Sequence, residues 1–178
     1  MGSLYHSFVY NVPNPSVGLL SIGEEASKGD ELVQKTHSLL AASSLNFVGN
    51  VEGRDILSGT SDIVVCDGFT GNVVLKFAES AVQFITGVLK DAIKSSPLSM
   101  LGGLLIKRQF NKQKTRLNYE EYGGAPLLGI DGITIICHGR SSARAIQNAI
   151  RVAATAARQK LNEHIKNKLS EASVDATS

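Results

Sequence analysis

The sequence predicts an α/β protein built on a mostly parallel sheet. Short apolar runs alternate with stretches whose apolar residues recur every three or four positions, and most of the runs end in a Gly-rich turn. The runs are continuous instead of alternating with polar residues, as expected for strands covered on both faces.

The first run, VGLLSI at 17 to 22, reads as a strand ended by Gly23. A helix follows over 30 to 40, with Leu32, Val33, Thr36, Leu39 and Leu40 at helical spacing. LNFV at 45 to 48 leads into a polar, Gly-containing stretch over 49 to 60, and DIVVCD at 62 to 67 is a buried-strand candidate. DGFTGN is then a sharp turn. From 72 to 94 a long amphipathic helix is predicted by Val74, Phe77, Ala78, Ala81, Ile85, Val88, Leu89 and Ala92, and Ser95, Ser96 and Pro97 stop it. Beyond the loop YEEYGGAP, ITIICH at 133 to 138 is another buried strand, followed by HGRSS and a helix with the stripe Ile146, Ala149, Ile150, Ala153, Ala157, Leu161 and Ile165. SEASVDATS at 170 to 178 is a small-residue polar stretch and predicts a disordered tail, leaving 1 to 169 as one α/β domain. No internal repeat is present.

Composition narrows the class further. A chain of 178 residues with 43% hydrophobic content is ample for one buried core. The 18 basic and 16 acidic side chains balance to +2, which argues against nucleic-acid binding from net charge. Cys66 and Cys137 lie in apolar runs and form no CxxC pair, so they read as two reduced core cysteines, with neither a disulfide framework nor a metal site. The N-terminus has no signal-peptide pattern, and no apolar run approaches the ~18 residues of a spanning helix, so a soluble cytoplasmic protein is predicted.

Chemistry is expected at three turns that follow strand candidates: IGEEASKGD, DGFTGN and HGRSS. In a parallel sheet such turns gather at the carboxyl ends of the strands, where helix starts offer N–H groups and Gly lets the backbone approach a ligand. Together they read as a site for phosphate or a phospho-ligand. Lys28 supplies a cation, Asn72 an amide donor, His138 a titratable imidazole, and Ser141 and Ser142 hydroxyls at a helix start. Taken alone each turn reads sooner as an ordinary strand-to-helix connection, and His138 by its bare context is more often a hydrogen-bonded structural histidine than a base. GxSxG, HExxH and GxxxxGK[ST] patterns are absent from the sequence.

The segment 94 to 119 carries no carboxylate. Leu98, Met100, Leu101, Leu104, Leu105 and Ile106 precede Lys107, Arg108, Lys112, Lys114 and Arg116, which suits an anionic membrane surface, an acidic protein partner, or a solvated helix face packed on its own core.

The turns are embedded in longer strings: MGSLY, VGLLSIGEEASKGDEL, LNFVGNVEGRDILSGTSDIVVCDGFTGNVVLK, YEEYGGAPLLGI and ICHGRSSARAIQNAI. In this order and spacing they resemble the second half of the PlsX phosphate acyltransferases, over residues 1 to about 158. The resemblance implies a three-layer fold related to phosphate acetyltransferase and the isocitrate dehydrogenase group, incomplete here because the family's first half is absent. It implies transfer of a fatty acyl group from acyl carrier protein to inorganic phosphate in phospholipid biosynthesis, with no cofactor and no metal, by a cytoplasmic homodimer associated peripherally with the membrane. It places Lys28 and Asn72 as catalytic stabilisers of phosphate or oxyanion. Asp67, Gly71, Tyr122, Gly123, Gly124, His138, Gly139 and Ser141 would line the cleft, and a projecting amphipathic segment at about 84 to 117 would use Leu104, Leu105, Lys107, Arg108, Lys112 and Lys114 to contact membrane or carrier protein. Two alternatives stay open: a non-catalytic module retaining only those contacts, and a phosphate acetyl- or butyryltransferase acting on coenzyme A thioesters.

Overall fold

In a computed structural model of the chain the described residues are 1–117, 121 and 123–175, with only the backbone course given at 108, 111–117 and 171–175. The chain divides into two compact units. One comprises Met1–Cys66, Ala125–Ile136 and Ile150–Ser178, the other Asp67–Gly124 and Cys137–Ala149.

The first unit holds a three-stranded parallel sheet in the order β2-β1-β3, formed by β1 (Val17–Leu20), β2 (Phe47–Val51) and β3 (Ile63–Val65). Central β1 is buried through Val17, Gly18 and Leu19, which is why its apolar run is unbroken. Gly18 is required by packing: a Cβ there would lie 2.7 Å from Val51 Cγ1 on the neighbouring strand. The starts of β1 and β3 are tied by Asp62, whose carboxylate accepts the Ser16 N–H at 2.8 Å and the Ser16 hydroxyl at 2.7 Å. These bonds from Ser16 hold the Asp62 carboxyl below the usual carboxylate range. Helix α2 (Glu31–Ala41) is started by Asp30, which accepts the Val33 N–H at 2.9 Å, and the short α3 (Asp55–Ser58) leads into β3.

Helix α1 (Gly2–Tyr10) was not legible as a helix in the sequence. It packs on α7 (Leu161–Asp175): Leu4, Tyr5 and Phe8 meet buried Ala156, Leu161 and Ile165, and Phe8 stacks on His164 with ring centroids 4.1 Å apart. Burial, with Tyr10 beside it, pushes the Tyr5 phenol up to about 12. α7 runs on to Asp175, so the backbone is helical well into the stretch whose composition predicts a disordered tail.

ITIICH departs from expectation. Only Ile135–Ile136 (β5) pairs, antiparallel with Ala125–Pro126 (β4), in a two-stranded sheet of its own, and Ile133 and Ile136 are exposed. The run is apolar enough for a buried parallel strand, but its hydrogen-bond partner is a nearby segment ten residues upstream instead of the main sheet. The turn of this pair is fastened by Asn162, which donates to the carbonyls of Ile130 and Gly132, and by a 2.7 Å Lys166–Asp131 ion pair.

The second unit contains a helical hairpin of α4 (Gly68–Lys94) and α5 (Pro97–Leu117). Pro97 opens α5, where its missing N–H is no loss, and Ser96 Oγ accepts the Ser99 N–H. Gly103 lies where a Cβ would approach Ile93 Cγ2 to 2.5 Å, so the two helices meet at a position only Gly fits. α4 holds no buried residue. Its 27 residues and an 18-residue window of mean hydropathy 1.2 meet the length and composition of a spanning helix, which amends the expectation that no segment approaches one. α6 (Ala143–Arg158) belongs in part to each unit.

Candidate functional site

In the first unit, residues 22–30 form the loop between β1 and α2, and it is fixed by side chains from outside it. Asn50 on β2, only 6% exposed, donates its amide N–H to the Glu25 carbonyl at 2.8 Å, and its Oδ1 faces His37 Nδ1 at 3.0 Å. Gln34 on α2 donates to the carbonyls of Ser27 and Gly29, each at 3.0 Å. Arg54 reaches Glu24 at 3.1 Å and Glu52 at 3.4 Å. Between these tethers stands Lys28, exposed, with its own N–H donated to the Glu25 carbonyl at 3.0 Å. Gly29 has φ +96° and a Cβ there would meet Val33 Cγ1 at 2.5 Å, so this position needs Gly for both conformation and space. The NVEGRD and IGEEASKG strings are therefore two parts of one hydrogen-bonded structure.

In the second unit, DGFTGN proves to be a helix start instead of a free turn. Asp67 caps α4, accepting the N–H groups of Phe69 at 2.9 Å and Thr70 at 2.8 Å, and the bonds from Thr70 hold its carboxyl below the usual range. Its negative charge thus occupies N–H groups that an anion would otherwise use. Gly71 and Asn72 lie inside α4, with Asn72 exposed. His138 Nε2 sits 3.2 Å from Glu79 Oε1, and Glu79, largely buried, also meets Lys76 at 3.2 Å. The His138 carbonyl accepts the Ser141 N–H, Gly139 is exposed, and Ser142 Oγ accepts the Ala145 N–H at the start of α6. Gly123 is buried at φ +81° and a Cβ there would lie 2.3 Å from the Ala149 backbone nitrogen, so the YGGAP glycine is set by close approach to α6. Its carbonyl accepts from Cys137 Sγ, and Gly124 follows, half-buried. Tyr122 lies outside the described residues.

On the hairpin, Leu104 and Leu105 are 66% and 78% exposed and Lys107 is exposed, while the side chains of Arg108, Lys112 and Lys114 lie outside the described residues. Cys66, expected in the core, is exposed at the end of β3, because the strand stops at Val65, and Cys137 is half-buried. Sequence reasoning passed over Gln34, Asn50 and Glu79 as site residues. Lys76 and Glu79 have the spacing of a helical ion pair, but nothing in the spacing announces that Glu79 meets His138.

The described architecture is of the α/β class, with a three-stranded parallel sheet and helices. A family model described as "fatty acid synthesis protein" matches residues 1–164, and the chain belongs to that family, the PlsX family. It is similar to proteins named phosphate acyltransferase: 53% identical over 171 residues to that of Geotalea uraniireducens, 50% over 173 to that of Heliobacterium modesticaldum, and 49% over 166 to that of Dictyoglomus turgidum. These alignments take in 96%, 95% and 93% of the chain and 49%, 52% and 49% of the respective relatives. The chain spans about half the length of the curated relatives it matches.

Proposed function

We propose that this chain supplies part of a phosphate acyltransferase that moves a fatty acyl group from acyl carrier protein to inorganic phosphate, giving acyl phosphate for phospholipid synthesis. The observation that carries the reading is the identity of about half of all aligned residues, across nearly the whole chain, with proteins of that name. In the reaction a phosphate oxygen attacks the thioester carbonyl carbon, the C–S bond breaks, and the proton of HPO₄²⁻ ends on the departing thiolate. Such a site works by holding phosphate against the carbonyl and stabilising the oxyanion, which needs positioned cations and donors and no protein nucleophile. Lys28, on its tethered loop, suits the phosphate or oxyanion charge, and Asn72 in α4 suits an amide donor. His138, with Nε2 3.2 Å from Glu79 Oε1, suits carriage of the proton from phosphate to thiolate. Asp67, Gly71, Tyr122, Gly123, Gly124, Gly139 and Ser141 would shape the surroundings, in a fold related to the phosphate acetyltransferase and isocitrate dehydrogenase group.

The exposed leucines of α5, followed by its cations, support peripheral docking on an anionic membrane or on the acidic carrier protein, within a cytoplasmic homodimer. The test joins this chain to the half of the Geotalea uraniireducens relative that it does not match. That protein should release carrier thiol in a phosphate-dependent manner, and the chain alone should be at least about a hundredfold slower, as expected when a positioning surface is missing. A folded joined protein without phosphate-dependent thiol release overturns the reading, and faster turnover with acetyl or butyryl coenzyme A would move it to the coenzyme A enzymes.

A further inference from the structure

We infer that Gln34 and Asn50 are positioning residues for Lys28, acting by fixing the backbone of its loop. The inference rests on the reading of Lys28 as a contact of phosphate or oxyanion. The two carbonyls that Gln34 engages, those of Ser27 and Gly29, flank Lys28 in the chain, and one NH₂ group with two hydrogens serves both at 3.0 Å. The orientation of this amide is fixed by chemistry, since only its nitrogen can donate to carbonyls.

Asn50 fixes the other side. The Glu25 carbonyl accepts both the Asn50 amide and the Lys28 N–H, so the buried asparagine and the lysine backbone share one acceptor. Because Nδ2 must donate to that carbonyl, Oδ1 is turned to His37, and His37 Nδ1 must carry the proton between them. A helix residue (His37), a strand residue (Asn50) and a loop carbonyl thus form one relay, with its centre out of water where a satisfied polar network is stiff. Lys28 has four side-chain torsions, so its ammonium is placed well only if its backbone is fixed. Gln34 and Asn50 remove the backbone freedom and leave the side chain its reach.

The test combines Gln34→Leu and Asn50→Leu with Lys28→Ala. In the chain itself, exchange of the Lys28 amide hydrogen should quicken at least about tenfold in Gln34→Leu and in Asn50→Leu, since its acceptor loop is released. Unchanged exchange in both variants overturns the inference. In the joined protein, Gln34→Leu should lower kcat roughly tenfold with little change in KM for the acyl thioester, and should have no further effect once Lys28 is Ala, because it acts through that lysine. An equal loss with and without Lys28 makes Gln34 merely structural and overturns the inference. If Lys28→Ala alone has normal kinetics, it is the reading of Lys28 that fails. If Lys28→Ala is slow and Gln34→Leu and Asn50→Leu are both normal, the inference fails by itself. Gln34 is exposed on α2, so its variant keeps the fold should Asn50→Leu lose it.

Discussion

The loop 22–30 and the α4–α5 hairpin solve opposite problems. The loop is polar, short and held at several points by side chains of its own unit, so its shape is complete within the chain. The hairpin is apolar along much of its length, has its helices in contact at Gly103 and Ile93, and leaves Phe69, Phe77, Phe84, Leu98, Leu104 and Leu105 exposed. An apolar surface of this kind is a place for something else to cover, whereas a tethered polar loop is a place for a small charged group to be held. One region is finished by hydrogen bonds and the other waits on burial.

Four changes would break or sharpen this contrast. The largest effect is expected from Lys28→Ala in the joined protein, where kcat should fall roughly 10²-fold with thermal stability unchanged, since the side chain is exposed and the tethers stay in place. Next comes Gly29→Ala, which sets a Cβ against Val33 at positive φ and should destabilise the first unit by roughly 1 to 3 kcal/mol in urea unfolding. No loss of stability there would mean that the loop relaxes freely and is not fixed at all. On the hairpin, replacing Leu104 and Leu105 together by Ser should weaken binding to anionic vesicles by at least about tenfold while leaving the melting temperature in place. Unfolding instead of weakened binding would show that these leucines serve the chain's own packing.

The smallest effect concerns the capped start of α4, where the hairpin comes closest to the loop in kind. The Asp67 carboxyl titrates below its ordinary value because of Thr70 and Phe69, so its contribution is full above the unfolded value of about 3.9 and is lost as pH falls through the lower folded one. Unfolding midpoints measured from pH 6 downward should therefore fall less steeply in Asp67→Asn than in the parent, and parallel slopes would mean that the ionised cap is dispensable.

The sequence carried the sheet and the helices well where packing is repetitive. VGLLSI is a strand because continuous burial of Val17, Gly18 and Leu19 leaves an unbroken apolar run. DIVVCD also pairs in the sheet, but at its edge, so Ile63, Val64 and Val65 are half-buried and not the fully buried strand its run suggests. The period of three to four residues from Val74 to Ala92 marks α4. ITIICH has the same appearance and a different fate, because an apolar run records burial preference and not the identity of the pairing strand. α1 was missed although Leu4, Tyr5 and Phe8 lie on one helical face, since its reason for being a helix is α7, some 150 residues away. For the candidate site, the strings bearing Lys28, Asn72 and His138 were legible as words, but the contacts that organise them join residues that no local spacing connects, such as Asn50 hydrogen-bonded to Glu25 and Glu79 lying 3.2 Å from His138.

The packing of α1 on α7 also bears on the order of assembly. Bringing together segments separated by about 150 residues carries a loop-closure entropy of about 4 kcal/mol before any contact forms. The parallel pairings of β1 with β2 and β3 likewise span tens of residues, so the first unit has a high contact order and should fold slowly for its size. On a ribosome, α1 leaves the exit tunnel long before Leu161 and Ile165 are made, and its apolar face over Leu4, Tyr5 and Phe8 stays wet for that whole interval. A helix made well before its partner is among the last elements to find its place, which leaves the apolar face of α1 in need of protection from neighbouring chains.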